Sequence, residues 1–190
     1  MKRLCIFCGS SYGTNALYKD AARQLAELLV KKKITLVYGG GRLGLMGELS
    51  ATAMKFGGEV IGIIPKVLTA KELANTSITT LHVVSTMHER KAMMAGLADG
   101  FIAMPGGIGT LEEFSEILTW AQLGLHRKPC GLLNVGGYYD KLIEFLDHAV
   151  KEKFVKQQHR SLLLIEKDPE KLLELMNSFV PPVHFDQRID

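Results

Sequence analysis

Three glycines within four residues, Gly106, Gly107 and Gly109, stand between an apolar run at 101–104 and a segment of helical period that opens at Thr110. Glycine lets the backbone approach a ligand closely, and the unpaired N–H groups at a helix start converge with the favourable end of its dipole. The turn from Pro105 to Thr110 therefore reads as a seat for a small anion, a phosphate above all. A plainer alternative is a tight strand-to-helix turn with Thr110 capping its helix. Next along the same helix come Glu112, Glu113 and Glu116, beside an apolar set of Leu111, Phe114, Ile117, Leu118 and Ala121. Acids in a first turn commonly just oppose the helix dipole. Glu113, however, shares an i, i+4 face with Ile117 and lies two turns before Trp120, so it borders the buried stripe.

A second charge stands out in the segment 87–97, where Arg90, Met93, Met94 and Leu97 recur at i, i+3, i+4 and i+7. That spacing is one face of a helix, and an arginine has entered its apolar stripe. A buried guanidinium is costly unless it meets a carboxylate or an anionic ligand; the alternative is that Arg90 lies at the helix edge and snorkels to water. Met87, Met93, Met94 and Trp120 could line a pocket, although at helical spacing such residues are more often core.

Other residue patterns exclude chemistry. Gly39, Gly41 and Gly44 fit G-x-G-x-x-G after a strand, but the acid expected about 20 positions on is missing, because the next strand ends in Ile63-Ile64-Pro65. NAD is therefore not expected, and the turn with Gly40 either shapes a mononucleotide pocket or packs strand on helix. Ser10 and Ser11 could bond phosphate or cap the first helix, and both readings stay open. The six histidines are scattered with no H-E-x-x-H pattern, so no catalytic metal is expected. Lys91 follows Arg90 and lacks the desolvated setting of a Schiff-base lysine, which argues against pyridoxal phosphate and leaves no cofactor to predict.

Composition narrows the partners and the compartment. With 23 Lys and Arg against 20 Asp and Glu spread along the chain, there is no basic block for nucleic acid, so an anionic partner should be small. Three cysteines, an odd number, suit a reducing compartment, and cytoplasm is the expectation. Cys5 and Cys8 lie three apart on a strand and point to opposite faces, against a shared metal or redox role. The first apolar run is too short for a signal-peptide core and no run approaches a bilayer span, so no membrane contact is expected.

The elements that must position these residues alternate. Apolar runs at 4–8, 35–38, 60–64, 80–84, 101–104, 130–133 and 162–165 read as strands buried on both faces. Segments at 15–32, 45–56, 87–97, 110–125, 138–153 and 169–179 read as helices, the last capped by Asp168. A chain of 190 residues forms one α/β domain over 1–180 with a tail at 181–190. In an open parallel sheet, ligands bind beyond the carboxyl ends of the strands, where all three glycine-bearing turns fall.

The residues also carry a resemblance. Met104 to Glu113 matches P-G-G-x-G-T-x-x-E, the signature of the LOG family of cytokinin riboside 5′-monophosphate phosphoribohydrolases, long labelled lysine decarboxylases. Phe7-Cys8-Gly9-Ser10-Ser11, Gly39-Gly40-Gly41 with Gly44-Leu45-Met46-Gly47, Met87-His88-Glu89-Arg90-Lys91 and Thr119-Trp120-Ala121-Gln122-Leu123-Gly124 resemble family segments in the family's order, covering about Leu4 to Phe154. The resemblance implies a Rossmann-like, doubly wound fold, a homodimer, and hydrolysis of a nucleoside 5′-monophosphate, a cytokinin riboside monophosphate or AMP, to free base and ribose 5-phosphate. It implies Arg90 and Glu113 as the catalytic pair. Binding roles carry over to Glu72, Arg90, Lys91, Gly106, Gly107, Ile108, Gly109, Thr110, Leu111, Glu112 and Thr119. The competing reading from another class is a non-catalytic carrier of a nucleotide or molybdenum cofactor on the same fold.

Overall fold

The computed structural model describes residues 1–69 and 73–181. Seven strands, β1 (Arg3–Phe7), β2 (Thr35–Tyr38), β3 (Val60–Pro65), β4 (Thr80–Val84), β5 (Gly100–Ala103), β6 (Cys130–Leu133) and β7 (Leu163–Glu166), form one sheet in the order β4-β3-β2-β1-β5-β6-β7. Every neighbouring pair is parallel. The order reverses between β1 and β5, and a doubly wound sheet opens its ligand crevice at such a switch point.

Helices α1 (Ala16–Lys31), α2 (Gly44–Lys55), α4 (Met87–Leu97), α5 (Ile108–Gln122), α6 (Asp140–Lys151) and α8 (Pro169–Ser178) cover the sheet. Two short helices, α3 (Lys66–Thr69) and α7 (Gln157–Arg160), have no counterpart in the sequence pattern. One core gathers Leu4, Ile6 and Cys8 with Leu25, Leu49 and Leu172; the other gathers Cys5 and Phe7 with Met94, Phe114 and Ile117. The two cysteines thus face opposite sides of the sheet, as alternation along a strand requires.

Caps fix where two helices start. Asn15 accepts from the N–H of Leu17 at 3.0 Å and so starts α1, which removes the capping role open to Ser10 and Ser11. Asp168 accepts from the N–H of Lys171 at 3.0 Å, as its sequence position predicts. Thr110, by contrast, is no cap: α5 begins two residues earlier at Ile108, with Gly107 as N-cap and no side-chain cap bond. The helix expected from Tyr138 starts at Asp140 instead, because a 3-10 turn at Val135–Gly137 intervenes, with Gly136 and Gly137 at φ 59° and 74°. Of the expected tail, 182–190 lies outside the described residues.

Candidate functional site

Arg90 enters the site from the first turn of α4, whose N-cap Thr86 accepts from the N–H of Glu89. Only 7% of the residue is exposed. Its Nε donates to the carbonyl of Ile63 at 3.0 Å and its Nη2 to that of Gly39 at 3.2 Å, while Nη1 donates to Glu113 Oε1 at 2.7 Å. The guanidinium is therefore caged and paired, and does not reach out to water. Gly39 makes room for it, since a Cβ there would stand 1.9 Å from Nη2. Burial raises the pKa of the Glu113 carboxyl, Arg90 pulls it back, and Glu112 and Glu116 push it up; the balance lies above the ordinary glutamate value.

Two glycine turns end in helix starts, and their hydrogen bonds separate them. The carbonyl of Gly9 accepts from the N–H groups of Leu45 at 3.1 Å and Met46 at 3.4 Å, so the first donors of α2 are already used. Carbonyls of the same turn face inward: Gly39 holds Arg90 and Gly40 accepts from the N–H of Asn75 at 2.9 Å. At α5 the pattern is opposite. Met104 carbonyl accepts from Tyr139 Oη at 2.6 Å, Pro105 carbonyl from the N–H of Gly9 at 3.0 Å, and Gly106 carbonyl from Tyr138 Oη at 2.5 Å. Among the described residues, no protein acceptor takes the N–H groups of Gly106, Gly107, Ile108, Gly109 or Thr110. Four of these donors, from Gly107 to Thr110, stand at the helix start itself, an arrangement suited to seating an anion. Gly106 must be glycine for packing, its would-be Cβ falling 2.1 Å from Thr110 Oγ1, whereas a Cβ on Gly107 or Gly109 would meet open space.

These parts border one cavity of about 510 Å³. Arg90, Glu113, Glu112, Ser10, Gly39, Gly41, Gly107, Ile108, Gly109 and Thr110 line it, so the structure brings together most of the residues singled out in the sequence. Apolar side chains line it too, namely Leu43, Met46, Ile64, Leu68, Leu73 and Met87. Met87 is thus a wall residue, whereas Met94 is buried in the core and Met93 and Trp120 pack against it. Gly40 turns instead against Ile63 and Ile64. Gly106 lies beneath the seat, and Lys91 bonds Glu112 at 2.5 Å and Glu116 at 3.1 Å. Leu111 and Thr119 border a separate groove with Phe114, Leu118 and Leu142. Glu72 falls outside the described residues.

Sequence reasoning missed the turn after β6. Asn134, 3% exposed, accepts from the N–H of Tyr139 at 2.8 Å and donates to Asp140 Oδ1 at 2.7 Å, which sets the two tyrosines under the anion seat. The signal was present: this turn also leaves a strand at the sheet's carboxyl edge and carries paired glycines.

A doubly wound parallel sheet with a run of unpaired N–H donors and a buried Arg–Glu pair at its switch point defines a Rossmann-like α/β protein with a candidate small-ligand site. The molybdenum cofactor binding protein of Rippkaea orientalis has this fold, with a TM-score of 0.70 and 24% identity over 94% of this chain and 97% of that one. The family model described as possible lysine decarboxylase matches residues 46–176. Cytokinin riboside 5′-monophosphate phosphoribohydrolase LOG2 of Arabidopsis thaliana is 51% identical over 180 residues, 95% of this chain and 84% of that protein. The probable enzyme of the same description, LOGL9 of Oryza sativa subsp. japonica, is 49% identical over 95% of this chain and 79% of its own length. The chain belongs to the LOG family, and the similarity continues past Phe154 through the last strand and helix.

Proposed function

We propose that this chain hydrolyses the N-glycosidic bond of a nucleoside 5′-monophosphate, giving free base and ribose 5-phosphate, as the names of its relatives describe for cytokinin riboside 5′-monophosphates. The observation that carries this reading is Glu113, fixed 2.7 Å from Arg90 and one helical turn beyond a seat of free N–H donors. A 5′-phosphate in that seat would bring the ribose to Glu113 and leave the base among the apolar side chains that line the cavity.

Cleavage of the bond between C1′ and the base nitrogen sends the electron pair to the base and builds positive charge on the ribose. The Glu113 carboxylate stabilises that charge and takes a proton from the attacking water, whose hydroxyl ends on C1′; the same proton then passes to the departing base nitrogen, which restores the carboxylate. Arg90, held by two backbone carbonyls, fixes the carboxylate in place. Binding of the remote phosphate is converted into positioning at C1′, so nucleotides react and the corresponding nucleosides do not.

Because Thr119 borders a different groove from the cavity, a contact between it and substrate requires a second copy of the chain, and we infer a homodimer. Sedimentation checks this, and a fully active monomer would count against it. The three buried, free thiols suit the reducing cytoplasm. Among the described residues no helix is long and apolar enough to cross a membrane.

The deciding experiment incubates the protein with AMP and with its N6-isopentenyl analogue and follows free base by chromatography. Glu113→Gln should bind nucleotide within a few fold of the parent and lose about 10³-fold or more in kcat. Nucleotide binding without base release by the parent protein would favour the carrier reading, and turnover surviving in Glu113→Gln would remove the assigned role.

A further inference from the structure

We propose that Tyr138 is a positioning residue for the phosphate seat, its hydroxyl fixing the direction of the Gly107 N–H by holding the carbonyl of the same peptide unit. The inference rests on the reading that this turn receives the 5′-phosphate. In a trans peptide the C=O and N–H are coplanar and point in opposite directions, and the described residues contain no cis bond. Tyr138 Oη bonds the Gly106 carbonyl at 2.5 Å from beneath, so the Gly107 N–H is left directed away from the tyrosine, with no protein acceptor among the described residues.

This peptide unit needs such a hold more than its neighbours do. It lies between two glycines, where little steric resistance opposes rotation of the whole plane. Rotated, it would aim a carbonyl oxygen at the phosphate in place of a donor. The preceding unit is fixed otherwise, because the N–H of Gly9 takes the Pro105 carbonyl. The bond from Tyr139 Oη to the Met104 carbonyl directs no donor at all, since Pro105 has no N–H. The two adjacent tyrosines thus have different tasks. Tyr139, 2% exposed, satisfies a buried carbonyl, while Tyr138, 42% exposed, sets a donor. Tyr138 is itself placed by the left-handed Gly136 and Gly137 and by edge contacts to Tyr18 and Tyr139, with ring centroids 5.5 and 4.9 Å away.

The test compares Tyr138→Phe and Tyr139→Phe with the parent protein, using calorimetric titration of inorganic phosphate and of adenine, steady-state kinetics with AMP, and thermal unfolding. Tyr138→Phe should weaken inorganic phosphate about three- to tenfold, the effect of losing one neutral hydrogen bond, and raise KM for AMP by a similar factor. Adenine affinity and Tm should stay at the parent values. Tyr139→Phe should lower Tm and leave phosphate affinity within about twofold, because a buried carbonyl loses its partner but no donor is released. Unchanged phosphate affinity in Tyr138→Phe, or equal losses for phosphate and adenine, would overturn the proposal, as would a parent protein that takes up no phosphate. Phosphate binding that responds to Tyr138→Phe in a protein releasing no base would sink the hydrolase reading alone.

Discussion

Replacing Gly109 by alanine adds one methyl group to the first turn of α5, at a point where the protein itself offers no obstacle within 4 Å. In a helix, glycine is less favourable than alanine by roughly 0.5–1 kcal/mol, so on folding grounds the substitution should stabilise the chain. For a domain of this size that corresponds to a rise in Tm of about 1–4 °C. The same methyl leans toward the helix N-terminus, as every helical Cβ does, and so toward the free N–H groups of Gly107 and Ile108. A phosphate oxygen bonded there sits about 2.9 Å from nitrogen. Losing one charge-assisted bond at that range costs roughly 1.5–3 kcal/mol, or about 10- to 100-fold in affinity. Thermal unfolding and phosphate titration on one preparation should therefore move in opposite directions, with KM for AMP following the phosphate constant. A Tm that rises while phosphate affinity stays at the parent value would show that the glycine does not serve a ligand. A Tm that falls would show that the space is not open.

Gly39→Ala puts a Cβ 1.9 Å from Arg90 Nη2. The guanidinium must leave its cage, and kcat should fall about 100-fold, as for a catalytic group displaced by about an ångström, with a stability loss of about 1–2 kcal/mol; unchanged kcat would mean that the cage is not needed. In the proposed mechanism Glu113 acts as the ionised carboxylate, and burial with Glu112 and Glu116 holds its pKa above the ordinary value despite Arg90. Consequently kcat should decline as pH falls through that raised pKa, with the acid limb above the usual carboxylate range. Recorded at saturating AMP, to separate it from the substrate phosphate ionising near about pH 6, the limb should move to lower pH in Glu112→Gln. A limb that stays in place assigns it to another group.

Arg90 and Glu113 were legible because burial makes unpaired charge costly, so a charge on an apolar face announces that a partner exists. The family resemblance named them as a pair, but their direct contact, across 23 residues, comes from the packing of α4 and α5 on one side of the sheet. The strand pattern was equally legible, since runs of Val, Ile and Leu buried on both faces leave few alternatives. Glycine turns were less so. A glycine allows the main chain to come close without saying whether N–H or C=O is presented, so Gly39–Gly41 and Gly106–Gly109 look alike as sequence and differ in polarity as structure. Thr110 shows the same limit on a smaller scale: a threonine near a helix start suggests a cap, but Ile108 and Gly109 were helical enough to extend α5 past it. Tyr138 and Tyr139 merged into the helical period of α6, and it is the 3-10 turn at Val135–Gly137 with the bond from Tyr139 N–H to Asn134 that places them outside it.

The cavity is lined by two kinds of material, the backbone of Gly107–Thr110 with its unpaired N–H groups and apolar side chains such as Leu43, Met46, Leu73 and Met87. A single codon change can resize the apolar wall, but no side-chain replacement deletes a backbone N–H short of proline. On the proposed reading, descendants of such a chain can therefore drift among bases, bulky or plain, while the requirement for a phosphorylated ribose persists as long as that backbone turn is kept. Base preference would then vary from protein to protein more readily than phosphate dependence.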